Sequence, residues 1–334
     1  MIIQGPHLFV ATPLYKTPNK TMLHNQDWST TDFEALPLDA IPATAYKPAC
    51  DEHQYARDYT HWDVDESRSA LDFYRLAWRR MAANTGERTL ITAIVPPGTA
   101  HVHPVHAMAT HDADSTTLMI ISGFTSSLVL DFFVRSASKS EILYGTIRRL
   151  PIEMNHPLVR SLVLRALRLN CVTDAYAQLW RDCWLPTFRD ETWAGGFEHA
   201  LRRPLGEVSR PWNAGIPLRV AADRRQALVE IDALVALTLG LAADELCTIY
   251  RTQFAVLYGY DQNVYYYDVN GRLVPNSVLS VWRKKGARIT EEERTATNQA
   301  GNTYTYELPF VTLNREADMR EAYAHFERLL KERS

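Results

Sequence analysis

The side chains of this chain best suited to chemistry are arginines, and the first group is tightly spaced. Arg75, Arg79 and Arg80 stand at i, i+4 and i+5 beside Trp78, so a helix here would gather guanidinium groups on one side. A planar guanidinium fork matches phosphate oxygens and the guanine edge, where lysine acts only as a point charge. The plainer account is a solvated helix face that pairs with Glu87 and the acidic N-terminal segment. A second group, Arg135-Ser136-Ala137-Ser138-Lys139-Ser140, offers cations and hydroxyls just before an expected helix start. Hydroxyls, backbone N–H groups and a helix N-terminus can all hold phosphate. The alternative is a surface loop. Arg148 and Arg149 would extend the same surface.

Two further patterns invite chemistry more weakly. His101, His103, His106 and His111 are spaced like metal ligands, but a zinc site also needs converging thiolates or carboxylates, and only Asp112 and Asp114 lie near. A polar loop is the more ordinary reading. Tyr265-Tyr266-Tyr267 could stack on bases, yet beside Val264 and the Asp268 to Gly271 turn it reads better as a hairpin strand with one packed face.

These groups must be positioned by recognisable elements. Asp65-Glu66-Ser67 offers helix-start chemistry, and Leu71, Tyr74, Leu76, Ala77 and Met81 follow at roughly helical spacing, with Gly86 as a left-handed cap. Leu90 to Val95 is a continuous apolar strand that Pro96-Pro97 must end. Thr117 to Ile121 and Ser127 to Val134 continue the strand pattern, and Glu141 to Arg149 reads as a short helix. A helix pair follows over 157–184, then an irregular connector over 186–221. Ala222 to Leu239 is the clearest helix, with Arg224 and Arg225 expected on its exposed side; Gly240 stops it, and Ala242 to Phe254 completes a hairpin. Turn-rich strands and a charged helix from Arg315 to Glu332 close the chain.

The fold expected is α+β, with a small mixed β-sheet domain over 1–155, a helical region over 156–260 with helical hairpins, and C-terminal strands and a final helix over 261–334, packed on the same unit. At 46% hydrophobic and 22% charged, the composition is that of an ordinary globular protein. No apolar run reaches the roughly 18–20 residues that cross a bilayer, and the first residues lack signal-peptide character. Four scattered cysteines, without a C-x-x-C pair, suit a reducing cytoplasm. The net charge of −3 is unevenly spread: −6 over 1–72, +5 over 73–220 and −2 over 221–334. Only the middle stretch has an excess suited to phosphates, and a modest one.

Several segments resemble, in order, the target-recognition region of large adenine-specific DNA methyltransferases: the type IIG restriction-modification enzymes and the BREX and DISARM phage-defence methylases. The segments are Ile3 to Pro18, Tyr74 to Gly98, Asp131 to Ile152 with its Leu-Pro-Ile turn, Arg165 to Trp180, and Leu228 to Phe254. A looser form of the third occurs in type I restriction specificity subunits. The resemblance implies a specificity-subunit-like recognition domain that binds double-stranded DNA, with Arg135, Lys139 and neighbouring arginines on the backbone. It implies, as partner, a methyltransferase catalytic domain or subunit, and with it a helicase or nuclease of the same system. This chain departs from the family's catalytic half. It contains no G-x-G turn for S-adenosylmethionine, and Val95-Pro96-Pro97-Gly98 lacks both the polar side chain and the aromatic of the catalytic tetrapeptide. The cofactor is therefore expected in the partner module, with none in this chain. The competing expectation is a protein-interaction subunit that docks a methylase or helicase core. Metal-dependent hydrolysis through the histidines comes third.

Overall fold

Alternation organises the N-terminal half. Leu76 and Trp78 enter the main apolar core while the intervening Ala77 joins a second, smaller cluster with Ile3, Leu8, Val10, Val95 and Val105. That period of two is the signature of a strand. In the computed structural model, which describes residues 1–62, 67–110, 112, 114–137, 140–195 and 203–333, the chain is 43% helical and 13% strand, with small sheets.

The strands of the first third are short: β1 (Ile2–Ile3), β2 (Leu8–Phe9), β3 (Thr12–Pro13), β4 (Lys16–Pro18) and β5 (Trp28–Thr30). Helix α1 (Glu52–Asp58) follows, capped by the Asp51 carboxylate on the Gln54 N–H. Then come β6 (His61–Trp62), β7 (Arg68–Ser69), β8 (Arg75–Arg79), β9 (Thr92–Val95), β10 (Ala100–His101) and β11 (Val105–Met108). β8 is the centre of an antiparallel sheet ordered β11-β8-β9, with Trp78 opposite Thr92 and His106.

The helix expected over Leu71 to Met81 is therefore not formed. A 3-10 turn at Ala70–Asp72 leads straight into β8. Leu71, Tyr74 and Leu76 mimic a helical stripe, but pairing with two neighbours satisfies the strand backbone and buries both of its faces. Gly86 is not left-handed; it lies in the turn between β8 and β9. The proposed helix start at Asp65-Glu66 lies outside the described residues.

Two expected strands are helices: α2 (Ser115–Thr125) and α3 (Leu128–Ser136). Asp114 accepts from the Thr116 and Thr117 N–H groups at 2.9 and 3.1 Å, and Ser127 accepts from that of Leu130 at 3.2 Å. These caps define the starts. From Leu118 onward α2 is buried on every side, so no amphipathic period shows. No single helix among the described residues is long and apolar enough to cross a membrane; α2 and α3 together pass a length-and-composition test but are bent by 68°. Next come α4 (Tyr144–Ile147), α5 (Val159–Asn170) and α6 (Ala177–Cys183). Gly123 lets α2 approach α5 closely, since a Cβ there would sit 2.7 Å from Leu162 Cγ.

The C-terminal half holds α7 (Ala221–Thr238), α8 (Ala243–Gln253), α9 (Ala255–Asn263), α10 (Asn276–Lys285), the hairpin β12 (Thr295–Thr297) and β13 (Thr303–Thr305), and α11 (Arg315–Arg333). The α7–α8 hairpin and the final helix match the sequence reading. Gly240, at φ 73°, ends α7 as expected. Arg224 and Arg225 do not lie on an exposed side: they are 9% and 5% exposed, because α7 is covered by neighbours all round. One apolar cluster takes residues from Ala11 to Phe326, and a separate one joins α10 to the β12–β13 region through Val278, Leu279, Ile289, Tyr306 and Phe310.

Candidate functional site

The arginines singled out in the sequence divide into those that hold the fold together and those that face water. Arg75 and Arg79 share the β8 face that meets the N-terminal segment. Arg75, 1% exposed, donates from Nη2 to the Thr99 carbonyl. Arg79 donates from Nε to Gly5 O at 2.9 Å and from Nη2 to Leu8 O at 2.5 Å. Burial lowers the pKa of both guanidinium groups. Arg80 pairs with Glu141 at 2.8 Å and touches His103.

Arg135 is likewise engaged. It donates to Gln253 O at 2.6 Å and Gly86 O at 2.9 Å, sits 3.7 Å from Asp131, and stacks over Phe254 at 4.2 Å. Ser136 ends α3 and is exposed; Ser140 is exposed and its carbonyl accepts from the Ala82 N–H. Ser138 and Lys139 lie outside the described residues. Arg148 and Arg149, just past α4, are exposed, and no carboxylate pairs with either side chain among the described residues. Arg148, Arg149 and Ser140 are thus exposed, whereas Arg75, Arg79 and Arg135 spend guanidinium donors on backbone carbonyls inside the fold.

A second basic surface was missed. Arg283, Lys284 and Lys285 end α10 and Arg288 follows, all exposed. Lys285 pairs with Glu293, and Arg283 donates to Asn263 O at 3.0 Å. The run Arg-Lys-Lys-Gly-Ala-Arg was visible in the sequence, but the overall acidity of the C-terminal third hid it.

The described histidines form no metal site: no group of His, Cys, Asp or Glu able to hold an ion occurs among the described residues. His111 lies outside them. His101 and His106 instead line a recess with Trp62, Trp78 and Tyr144, and burial lowers the pKa of both.

The most elaborate polar site is a cleft of about 410 Å³ that sequence reading did not anticipate. It is built where the N-terminal strands, the start of α7, the Tyr265 to Leu273 turn, the β12–β13 hairpin and Arg315 meet. At its rim, Glu34 holds Arg272 through both carboxylate oxygens at 2.9–3.1 Å. Asp32 accepts from Tyr304, Asn298 and Asn302 at 2.7–2.9 Å; burial raises its pKa, but these donors outweigh that and hold it below the usual carboxylate range. Glu87 accepts from the Tyr265 hydroxyl at 2.7 Å, and burial raises its pKa.

The inner wall is cationic. Arg224 donates to the carbonyls of Leu169, Leu218 and Ala11 and to the Thr12 hydroxyl, and burial brings its pKa down to about 9. Arg219 donates to the carbonyls of Phe33, Leu36 and Val172. Arg225 spends Nη1 on Asp318 at 2.6 Å and leaves Nε and Nη2 buried without a hydrogen-bond partner among the described residues. An unmet buried donor costs about 1–3 kcal/mol, so such groups call for an explanation. The cleft residues come from positions 9 to 315, and no local pattern in the sequence could have gathered them.

No protein-family model, curated protein or solved structure matches this chain.

Proposed function

We propose that this chain is a double-stranded DNA recognition module of the target-recognition type and works with a separate adenine methyltransferase module. What carries the reading is the ordered resemblance of segments from Ile3 to Phe254, joined to the exposed guanidinium groups of Arg148 and Arg149. Two guanidinium groups without carboxylate partners are suited to phosphates, which supply most non-specific affinity. The run from Arg283 to Arg288 adds a second surface of the same sign. S-adenosylmethionine and the chemistry of methylation would belong to the partner.

The test is fluorescence anisotropy on a random duplex between about 50 and 200 mM salt. Binding should weaken steeply with salt, and the double substitution Arg148→Ala/Arg149→Ala should lower the slope of log affinity against log salt by about 2. No binding at about 50 mM salt would overturn the reading for the isolated chain.

One observation favours a second reading, a docking subunit with little DNA affinity. Met81, Leu143 and Tyr144 are 60%, 47% and 54% exposed along the edge where Met81 bridges to Glu141. If that edge serves a protein partner, Tyr144→Ser should abolish co-purification with the catalytic module and leave DNA affinity unchanged.

A further inference from the structure

We propose that the cleft between the N-terminal strands and α7 binds one nucleotide, with its base against the aromatic wall and its phosphate on Arg225. This does not rest on the DNA-recognition reading, since the cleft and the exposed cations are different surfaces. The volume, about 410 Å³, lies within the usual range for small-ligand sites. Phe9 and Tyr15 stack on one another in the wall, with ring centroids 4.9 Å apart and planes at 26°, and Tyr265 and Tyr304 add further rings. Flat aromatic faces accept any base.

The charge arrangement points to an anion rather than a neutral heterocycle. Arg225 lines the cleft, is 5% exposed, and has two N–H-bearing nitrogens with no acceptor among the described residues. Arg219 and Arg224 stand in the same wall and donate to carbonyls and a hydroxyl, with no carboxylate pairing to either among the described residues. A guanidinium fork suits a phosphate in two-point contact. Of the three carboxylates in the lining, only Glu34 is neutralised by a cation, Arg272, while Asp32 and Glu87 are held by neutral donors; six lining arginines outnumber them and leave the wall cationic. Depth is graded to match. Arg225 and Tyr267 are buried, whereas the Arg272–Glu34 pair is about a quarter exposed (27% and 26%) and forms the mouth.

The same chemistry could be met by a free nucleoside monophosphate or by a nucleotide within a single strand. Isothermal titration of the full chain with AMP, GMP, CMP and TMP, with adenosine, and with a short single-stranded oligonucleotide separates these. A monophosphate should bind with Kd of about 1 mM or tighter, and adenosine at least about tenfold more weakly. Arg225→Met should weaken binding by about tenfold or more. Tyr15→Ala should cost about tenfold through lost stacking, and it decides the matter if the Arg225 variant does not fold. Loss in these variants of oligonucleotide binding alone, with no free nucleotide bound, assigns the site to a strand. The proposal is overturned if nothing binds at about 5 mM, or if folded variants bind as the parent does. Duplex affinity measured in parallel keeps the two ideas apart, because Arg225→Met should leave it unchanged.

Discussion

Arg79 separates a structural arginine from a DNA-reading one. It lies on β8 and clamps the N-terminal segment through Gly5 O at 2.9 Å and Leu8 O at 2.5 Å. A hydrogen bond from a charged donor contributes about 1.5–3 kcal/mol net, so two are worth about 3–6 kcal/mol when fully sheltered. Arg79 is only partly sheltered, which brings the expected cost of Arg79→Ala to about 2–4 kcal/mol. For a chain of this size that corresponds to a fall in melting temperature of roughly 3–6 °C. Arg79→Lys should recover less than half, since an ammonium cannot span both carbonyls with the fixed fork of a guanidinium. Thermal and urea unfolding give the stability, and anisotropy titrations give the salt slope. Arg148→Ala should show the opposite pattern: stability within about 0.5 kcal/mol of the parent and a shallower salt slope. The reasoning fails if Arg79→Ala melts within about 2 °C of the parent while its salt slope falls by about 1.

Two predictions concern buried charges in the helical core. Arg165 is wholly buried between Glu230 at 2.6 Å and Glu191 at 3.0 Å, and Glu230 also accepts from the Ala194 N–H at 2.9 Å. Glu230→Ala should cost about 3–5 kcal/mol in urea unfolding and Glu230→Gln about 1–3, since the amide keeps an acceptor; equal costs would refute the charge argument. Asp232 is fully buried, and burial raises its pKa to about 6. Its folded value exceeds the unfolded one, so the native state holds a proton that the unfolded state releases first, and this group's contribution falls as pH rises from about 4 to about 6. Asp232→Asn keeps the acceptor for the Leu128 N–H and should gain on the parent across that window, by on the order of 3 kcal/mol; a difference that does not change with pH counts against it.

The sequence was most legible where one face of an element is apolar and its end is marked. The α7–α8 hairpin with Gly240, and α11 from Arg315, were read within a residue or two. It misled where burial erased the contrast on which periodicity depends. Leu118 to Thr125 is buried throughout, so a helix there looked like a strand. In β8, Leu76 and Trp78 face one cluster and Ala77 another, so a strand carried enough apolar residues to imitate a helix. Arginine caused the other errors. Its charge suggests solvent, yet Arg75, Arg165, Arg168 and Arg224 are buried because backbone carbonyls and carboxylates take up their donors. The cleft was out of reach, since its walls are separated by up to the distance from Phe9 to Arg315 along the chain.

The main apolar core, which takes residues from Ala11 to Phe326, has a consequence for anyone who would re-engineer this molecule. Modules that trade specificity by cassette exchange need a seam where few apolar contacts cross. Here a cut at 155 or 260 would pass through α2 against α5 and α7 against α11, and each fragment would carry an unfinished interior. Chimeras spliced at those points should be insoluble. New binding preferences would have to be written into exposed loops, or the chain transplanted whole.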